Sequence, residues 1–250
     1  MVHDPNERLR TEVAQVVADV HRLIAGFAEA KRQHQAVTAS ASAERGLIVV
    51  VADVSGALTE VYFEDDIEQL GYHQIARGVV QAAQRAAAQV KSKADEIISA
   101  QRGSLLGLPK LSDLVDWVPD EQELPSPPAA LLTPPAEREP VADTAEQAGL
   151  LELQEQRARL FATASAGGRR VSVAVNADGV LIDLQFSGAV GDLDYEQIAE
   201  AIVAASGAAV AAVARKVADL YAPTVEDDRP SFPGSDVVLA GLDRLRDQLR

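Results

Sequence analysis

Apolar residues near the start of the chain recur three or four positions apart. They run from Leu9 through Val13, Val16 and Val20 to Phe27, with charged residues between them. One face of an α-helix repeats at this spacing. The pattern therefore predicts a long amphipathic helix.

Short strand patterns follow this helix. The β-branched run Leu47–Ala52 and the run Ala57–Phe63 flank a turn at Asp53–Gly56, which predicts a β-hairpin. Val37–Ser42 alternates weakly and predicts a strand before the hairpin. From about Tyr72 to Ala100 the three–four spacing returns and predicts a second long helix.

The same order of elements occurs twice at one constant offset. The anchoring matches are Tyr72-x-Gln74-Ile75-Ala76 on Tyr195-x-Gln197-Ile198-Ala199, Gly56 on Gly179, and Phe63 on Phe186. Matches between alanines are discounted, because alanine-rich helices resemble each other by composition. The repeat predicts an α+β fold of two tandem α-β-β-β-α units that form an intrachain pseudo-dimer and are joined by a Pro-rich linker.

Boundaries follow from the repeat and from the prolines. We expect a first unit at 1–101, a linker at 102–142, a second unit at 143–222, and an acidic, Pro-containing tail at 223–250 that ends in a short amphipathic helix. The strands of the second unit are predicted near Phe161–Ala166, Val171–Asn176 and Val180–Phe186, before a helix at Tyr195–Tyr221.

Capping and turn signals refine these elements. Asp194 and Gln197 predict a capping box at the start of the last long helix, and Asp143 or Thr144 is the predicted cap of the shorter helix that opens the second unit. The two matched glycines are expected at positive φ in two-residue hairpin turns.

The linker has an apolar first half that a free connector does not need. Two interpretations stay open: it docks on the protein's own surface, or it binds a partner. The partner-binding candidates are Leu105, Leu106, Leu108, Leu111, Leu114 and Trp117.

Composition restricts the function. The net charge of −15 opposes broad attraction to phosphate, although a local basic cluster can still bind DNA. No cysteine is present to form a disulfide or a thiolate metal site. Neither a secretory signal nor a bilayer-spanning apolar run is recognisable, so we expect a cytoplasmic protein without a membrane span.

Catalytic chemistry finds little support in the sequence. His3, His21, His34 and His73 lack metal-ligand spacing, and acidic runs such as Asp65-Asp66 read as solvated loops. Gly46 and Gly167-Gly168 precede strands, so they predict hairpin turns rather than phosphate-binding loops. We therefore expect no enzyme, no cofactor and no metal.

Both repeats resemble the YbaB/EbfC family of bacterial nucleoid-associated proteins. The residues that carry the resemblance are Val171-x-Val173-x-Val175-Asn176-Ala177-Asp178-Gly179-x-Leu181-x-Asp183-Leu184, Tyr195-x-Gln197-Ile198-Ala199-x-x-Ile202, and the matching runs Asp53–Val61 and Tyr72–Ala76. The resemblance implies a tweezer-like pair of units that binds DNA with little sequence preference. The connector and the unequal first helices depart from the simple tweezer. Similar actinobacterial proteins are associated with type VII secretion.

Two functions are consistent with these observations. The first is a nucleoid-associated protein in the cytoplasm whose basic side chains contact duplex phosphates. The second is a protein-interaction scaffold or chaperone, which the acidic surface and the apolar connector favour. A homo-oligomer is compatible with either function. The candidate DNA contacts are Arg8, Arg10, Arg22, Lys31, Arg32, Arg45, Lys91, Lys93, Arg169, Arg170, Arg215 and Lys216.

Overall fold

A computed structural model describes residues 22, 25, 26, 28–105, 128–138 and 149–227. In the first unit, helical residues 28–35 precede three strands and a long helix. Their bounds are β1 Thr38–Ala43, β2 Ile48–Asp53, β3 Leu58–Phe63 and α1 Tyr72–Leu105. The second unit repeats this order with α2 Leu150–Arg159, β4 Phe161–Ala166, β5 Val171–Asn176, β6 Leu181–Phe186 and α3 Tyr195–Asp227. The predicted α+β fold of two tandem units is confirmed.

Each unit contains one antiparallel three-stranded meander. The strand orders are β1-β2-β3 and β4-β5-β6. A register shift interrupts each second hairpin at corresponding places, between Val51 and Ala52 and between Ala174 and Val175. The two sheets therefore share the irregularities of the repeat as well as its order.

The second hairpin of each sheet closes through a three-residue loop. Gly56 N donates to the Asp53 carbonyl at 3.0 Å, and Asp53 N donates to the Ala57 carbonyl at 3.0 Å. Gly56 and Gly179 have φ of 82° and 79°, the left-handed region that glycine occupies without strain. Positive φ was predicted correctly, but the expected two-residue turn was wrong: a turn followed by a left-handed glycine needs three residues.

These two hairpin loops touch each other. A Cβ on Gly56 would lie 2.6 Å from the carbonyl carbon of Gly179, and a Cβ on Gly179 would overlap the carbonyl oxygen of Ser55. Only glycine lets two backbones approach this closely. The contact joins the two units, and we call this pair of loops the central loops.

The long helices also join the units, because each covers strands of both. Helix α1 packs on β1, β2 and β6, whereas α3 packs on β4, β5 and β3. The aromatic rings pair the same way: Phe63 meets Tyr195 with ring centroids 6.2 Å apart, and Phe186 meets Tyr72 at 5.8 Å, both edge to face. One continuous hydrophobic core results. The shared core compensates for the small number of large side chains in each unit.

Helix α3 is the one helix in the described part of the chain that is long and apolar enough to span a bilayer. Its apolar face is occupied in this fold, since Ile198, Ile202 and Val213 are buried in the shared core. The buried side of this helix thus packs on strands of both sheets.

The start of α3 is fixed by reciprocal side-chain hydrogen bonds. Gln197 N donates to Asp194 Oδ1 at 2.7 Å, and Asp194 N donates to Gln197 Oε1 at 3.2 Å, as the predicted capping box requires. Helix α2, in contrast, begins at Leu150 with Gly149 as its N-cap. The predicted cap at Asp143 or Thr144, which lie outside the described residues, is therefore not the cap of α2.

We expect Asp194→Ala to lower the free energy of unfolding by about 1 kcal/mol, because it leaves the Gln197 amide without its side-chain acceptor. Urea unfolding measures the change. Asp194→Asn is the matched control, since an amide oxygen also accepts this bond. Equal losses in the two variants would contradict the capping role.

The last part of the connector lies on the second unit. Leu131 N donates to the Ala158 carbonyl at 2.9 Å, and Asn176 Nδ2 donates to the Leu131 carbonyl at 3.3 Å. The Arg138 guanidinium lies 5.0 Å from the centre of the Phe161 ring, and burial lowers its pKa. Leu105 ends α1, whereas Leu106, Leu108, Leu111, Leu114 and Trp117 lie outside the described residues.

Candidate nucleic-acid interface

Helix α1 is basic over most of its length. Between Tyr72 and Ala94 it contains no Asp or Glu, and its charged or titratable side chains are all exposed. They are His73, Arg77, Arg85, Lys91 and Lys93. The corresponding part of α3 contains Glu196 and Glu200 and no Lys or Arg before Arg215. The two repeats therefore share a fold but differ in the sign of charge on this helix.

Arg85 and Lys93 extend from α1 to the free edge of β1. Arg85 Nη1 donates to the Ser42 carbonyl at 3.2 Å, and Lys93 Nζ donates to the Thr38 carbonyl at 3.0 Å. Each bond uses one donor, and both side chains have further donors available to a ligand. The charges also protect the edge strand from pairing with another strand.

The β1–β2 turn adds Arg45 to this surface. Arg45 is exposed and has a φ of 60°. The turn packs closely over α1 at Gly78, where a Cβ would lie 3.1 Å from Glu44 Cγ. Arg45 therefore projects from a turn that rests on the helix between Arg77 and Arg85, and we call Arg45, Arg77 and Arg85 the basic face.

The helix that precedes β1 carries the next group of predicted DNA contacts. Lys31 and Arg32 are exposed, and Arg32 pairs with Glu29 one turn earlier. Arg22 is helical and exposed, whereas Arg8 and Arg10 lie outside the described residues. The Glu29 pairing partly neutralises this end of the helix.

The predicted basic residues of the second unit are divided between exposed and internal positions. Arg169 and Arg215 are exposed, but Arg170 is half-buried and donates to the Ala189 carbonyl at 3.1 Å. Lys216 Nζ donates to the Phe161 carbonyl at 2.9 Å, as Lys93 does at the equivalent strand of the first unit. Arg170 thus has contacts within the protein that favour a structural role, whereas Lys216, like Lys93, is exposed and keeps further donors.

Sequence reasoning missed Arg77 and Arg85. Each is an isolated arginine among uncharged residues, and neither belongs to a basic cluster in the sequence. The available signal was the absence of acidic residues along the whole segment from Tyr72 to Ala94.

Two tyrosines away from the basic face have raised pKa values. A hydrogen bond of 2.8 Å from the Tyr62 hydroxyl to Glu60, together with the carboxylate charge, raises the pKa of Tyr62. Burial first, then Tyr72 and Glu68, raise the pKa of Tyr195. Both hydroxyls therefore stay neutral near pH 7, and the charge around them is that of the carboxylates.

Among the described residues, no group of three or more His, Cys, Asp or Glu side chains is placed to hold a metal ion. What the described surface does offer is the part of α1 between Tyr72 and Ala94, which has no acidic residue and exposes Arg77 and Arg85 to solvent. Such side chains bind phosphate groups through charge-assisted hydrogen bonds.

The fold and this surface define a two-unit α+β protein with helices exchanged between its sheets. The profile of the YbaB/EbfC DNA-binding family matches residues 10–105 and, a second time, residues 142–227. The chain belongs to this family, and the resemblance seen in the sequence is confirmed. No curated protein and no solved structure gave a match.

Proposed function

We propose that this chain is a non-enzymatic, nucleoid-associated protein of the cytoplasm that holds duplex DNA by its phosphate backbone, with little sequence specificity. The observation that carries the proposal, beside membership of a DNA-binding family, is the segment of α1 between Tyr72 and Ala94, which contains no Asp or Glu and exposes Arg77, Arg85, Lys91 and Lys93. Arginine contacts to phosphate oxygens fix a protein on the duplex without reading bases.

The distribution of charge is consistent with weak binding. The chain has a net charge of −15, so the basic face must attract DNA against the repulsion of the remaining surface. In this proposal the two units of one chain take the place of two single-unit subunits, and α1 supplies the DNA-facing side. Phosphate approaches α3 less readily because of Glu196 and Glu200.

Binding to a duplex of arbitrary sequence, measured by fluorescence anisotropy over a series of salt concentrations, tests the proposal. We expect the logarithm of affinity to fall with the logarithm of salt by about 0.9 for each phosphate neutralised. Arg77→Glu combined with Arg85→Glu should reduce that slope by about 2 and weaken binding at low salt by about tenfold or more.

Arg159→Glu is the matched control, because Arg159 is an exposed arginine that belongs to α2 and not to α1. It should change affinity far less than the α1 pair. Absence of binding at low salt, or equal losses at Arg159 and at the α1 pair, would refute DNA binding by the basic face. Circular dichroism of each variant checks that the fold is retained.

A further inference from the structure

A groove runs between β3 and the first turns of α3. Its volume is about 580 Å³. Strand β3 forms one wall from Thr59 to Phe63, and α3 forms the other with residues that include Tyr195, Ala199 and Val203. The groove therefore lies between a strand of the first unit and a helix of the second.

The wall formed by β3 is the open edge of a sheet. Strand β3 has β2 as its only neighbour among the described strands. Glu64 N donates to the Leu47 carbonyl, so by antiparallel alternation the backbone groups of Val61 and Phe63 point away from β2. The described residues give neither Val61 nor Phe63 a backbone partner on that side.

The same edge is closed at its other end. Leu58 N donates to Ser206 Oγ of α3 at 3.1 Å, and Ser206 is fully buried. The open stretch is thus limited to the part of β3 that lines the groove. A strand edge beside a helix is the geometry in which an extended peptide adds to a sheet and places its side chains against the helix.

The charge of the groove is acidic. Glu196 and Glu200 lie one turn apart on α3, Glu60 lies on β3, all three are exposed, and no Lys or Arg lines the groove. Carboxylates in these positions repel phosphate and attract ammonium and guanidinium groups. The groove is therefore unsuited to DNA.

The second copy of the repeat lacks this combination. At the positions equivalent to Glu196 and Glu200, α1 carries His73 and Arg77. Where β3 has the exposed Thr59, β6 has Ile182, which is 2% exposed. The acidic open edge is a property of one side of the molecule and not a consequence of the fold.

We propose that this groove binds an extended segment of a partner protein that carries Lys or Arg at alternate positions. The segment adds to β3 as a fourth strand and pairs with the backbone of Val61 and Phe63. Its basic side chains contact Glu196 and Glu200. This activity is separate from the proposed DNA binding, which involves α1.

A pool of fluorescent eight-residue peptides with Lys or Arg at alternate positions and valine or threonine between them tests the proposal on the full chain. We expect binding by members of the pool, and no binding by the same pool with Glu in place of Lys and Arg. Glu196→Gln combined with Glu200→Gln should weaken binding about fivefold, and His73→Gln combined with Arg77→Gln should leave it unchanged.

Hydrogen exchange and peptide N-methylation test the backbone pairing between the peptide and β3. A bound peptide should slow hydrogen exchange of the Val61 and Phe63 amides, and N-methylation of alternate peptide amides should abolish binding. Four outcomes would each overturn the proposal: no peptide of the pool binds, the glutamate pool binds as well, the α1 pair weakens binding as much as the α3 pair, or these two amides are already protected in the free chain by its own residues.

Discussion

Gly179→Ala will lower the free energy of unfolding by about 2–6 kcal/mol, more than any other glycine-to-alanine change at the turns described. About 1–3 kcal/mol comes from forcing a side chain into the left-handed region, and about 1–3 from the added atom. That atom would overlap the Ser55 carbonyl oxygen and push the two central loops apart. Urea unfolding followed by circular dichroism measures the loss.

Gly46→Ala distinguishes the cost of a side chain at positive φ from the steric cost of the added atom. Gly46 also has a positive φ, 95°, but nothing lies within 4 Å of its Cβ position. This variant should therefore show the conformational cost alone. If Gly179→Ala is no more destabilising than Gly46→Ala, the contact between the loops does not contribute to stability as we infer.

Leu181→Ala will lower the free energy of unfolding by about 2–5 kcal/mol and will loosen both units. Leu181 is completely buried on β6, the strand of the second unit that α1 of the first unit covers. The cavity lies between the units, so amide hydrogen exchange should accelerate in β2 as well as in β5.

The exposed Leu151 on α2 supplies the control for this experiment. Its side chain is 65% exposed, and Leu151→Ala should change stability by no more than about 0.5 kcal/mol. Faster exchange confined to β4, β5 and β6 in the Leu181 variant would show that the units unfold independently.

Local structure could be predicted from the sequence, because it depends on residues that are close together in the chain. The matched tyrosines mark the starts of α1 and α3, and the matched glycines mark the two central loops. Periodicity also identified the buried face of α1, where Ile75, Val79 and Ala86 lie in the core.

The sequence did not predict which sheet the buried face of each long helix covers. Periodicity shows that a helix has an apolar side, but it does not show whether that side covers its own sheet or that of the other copy. The contacts of Phe63 with Tyr195 and of Leu58 with Ser206 join residues far apart in the chain. No local pattern encodes that exchange.

The candidate DNA contacts were likewise predicted only in part. Basic residues were found one at a time, so the exposed Lys31 and Arg45 were included together with Arg170, whose guanidinium contacts the protein itself. Arg77 and Arg85 were recognised when the solvent side of α1 was compared with that of α3, although the absence of acidic residues between Tyr72 and Ala94 was already visible in the sequence. Their role on DNA stays a prediction.

Joining both units in one polypeptide has a genetic consequence. In a symmetric pair encoded by a single-unit gene, every substitution appears on both sides of the axis, so no residue is changed without its symmetry mate. Here Arg77 and Glu200 occupy equivalent places and carry opposite charges. A mutation in either codon alters one side alone, which leaves the two sides of the molecule free to acquire different ligands.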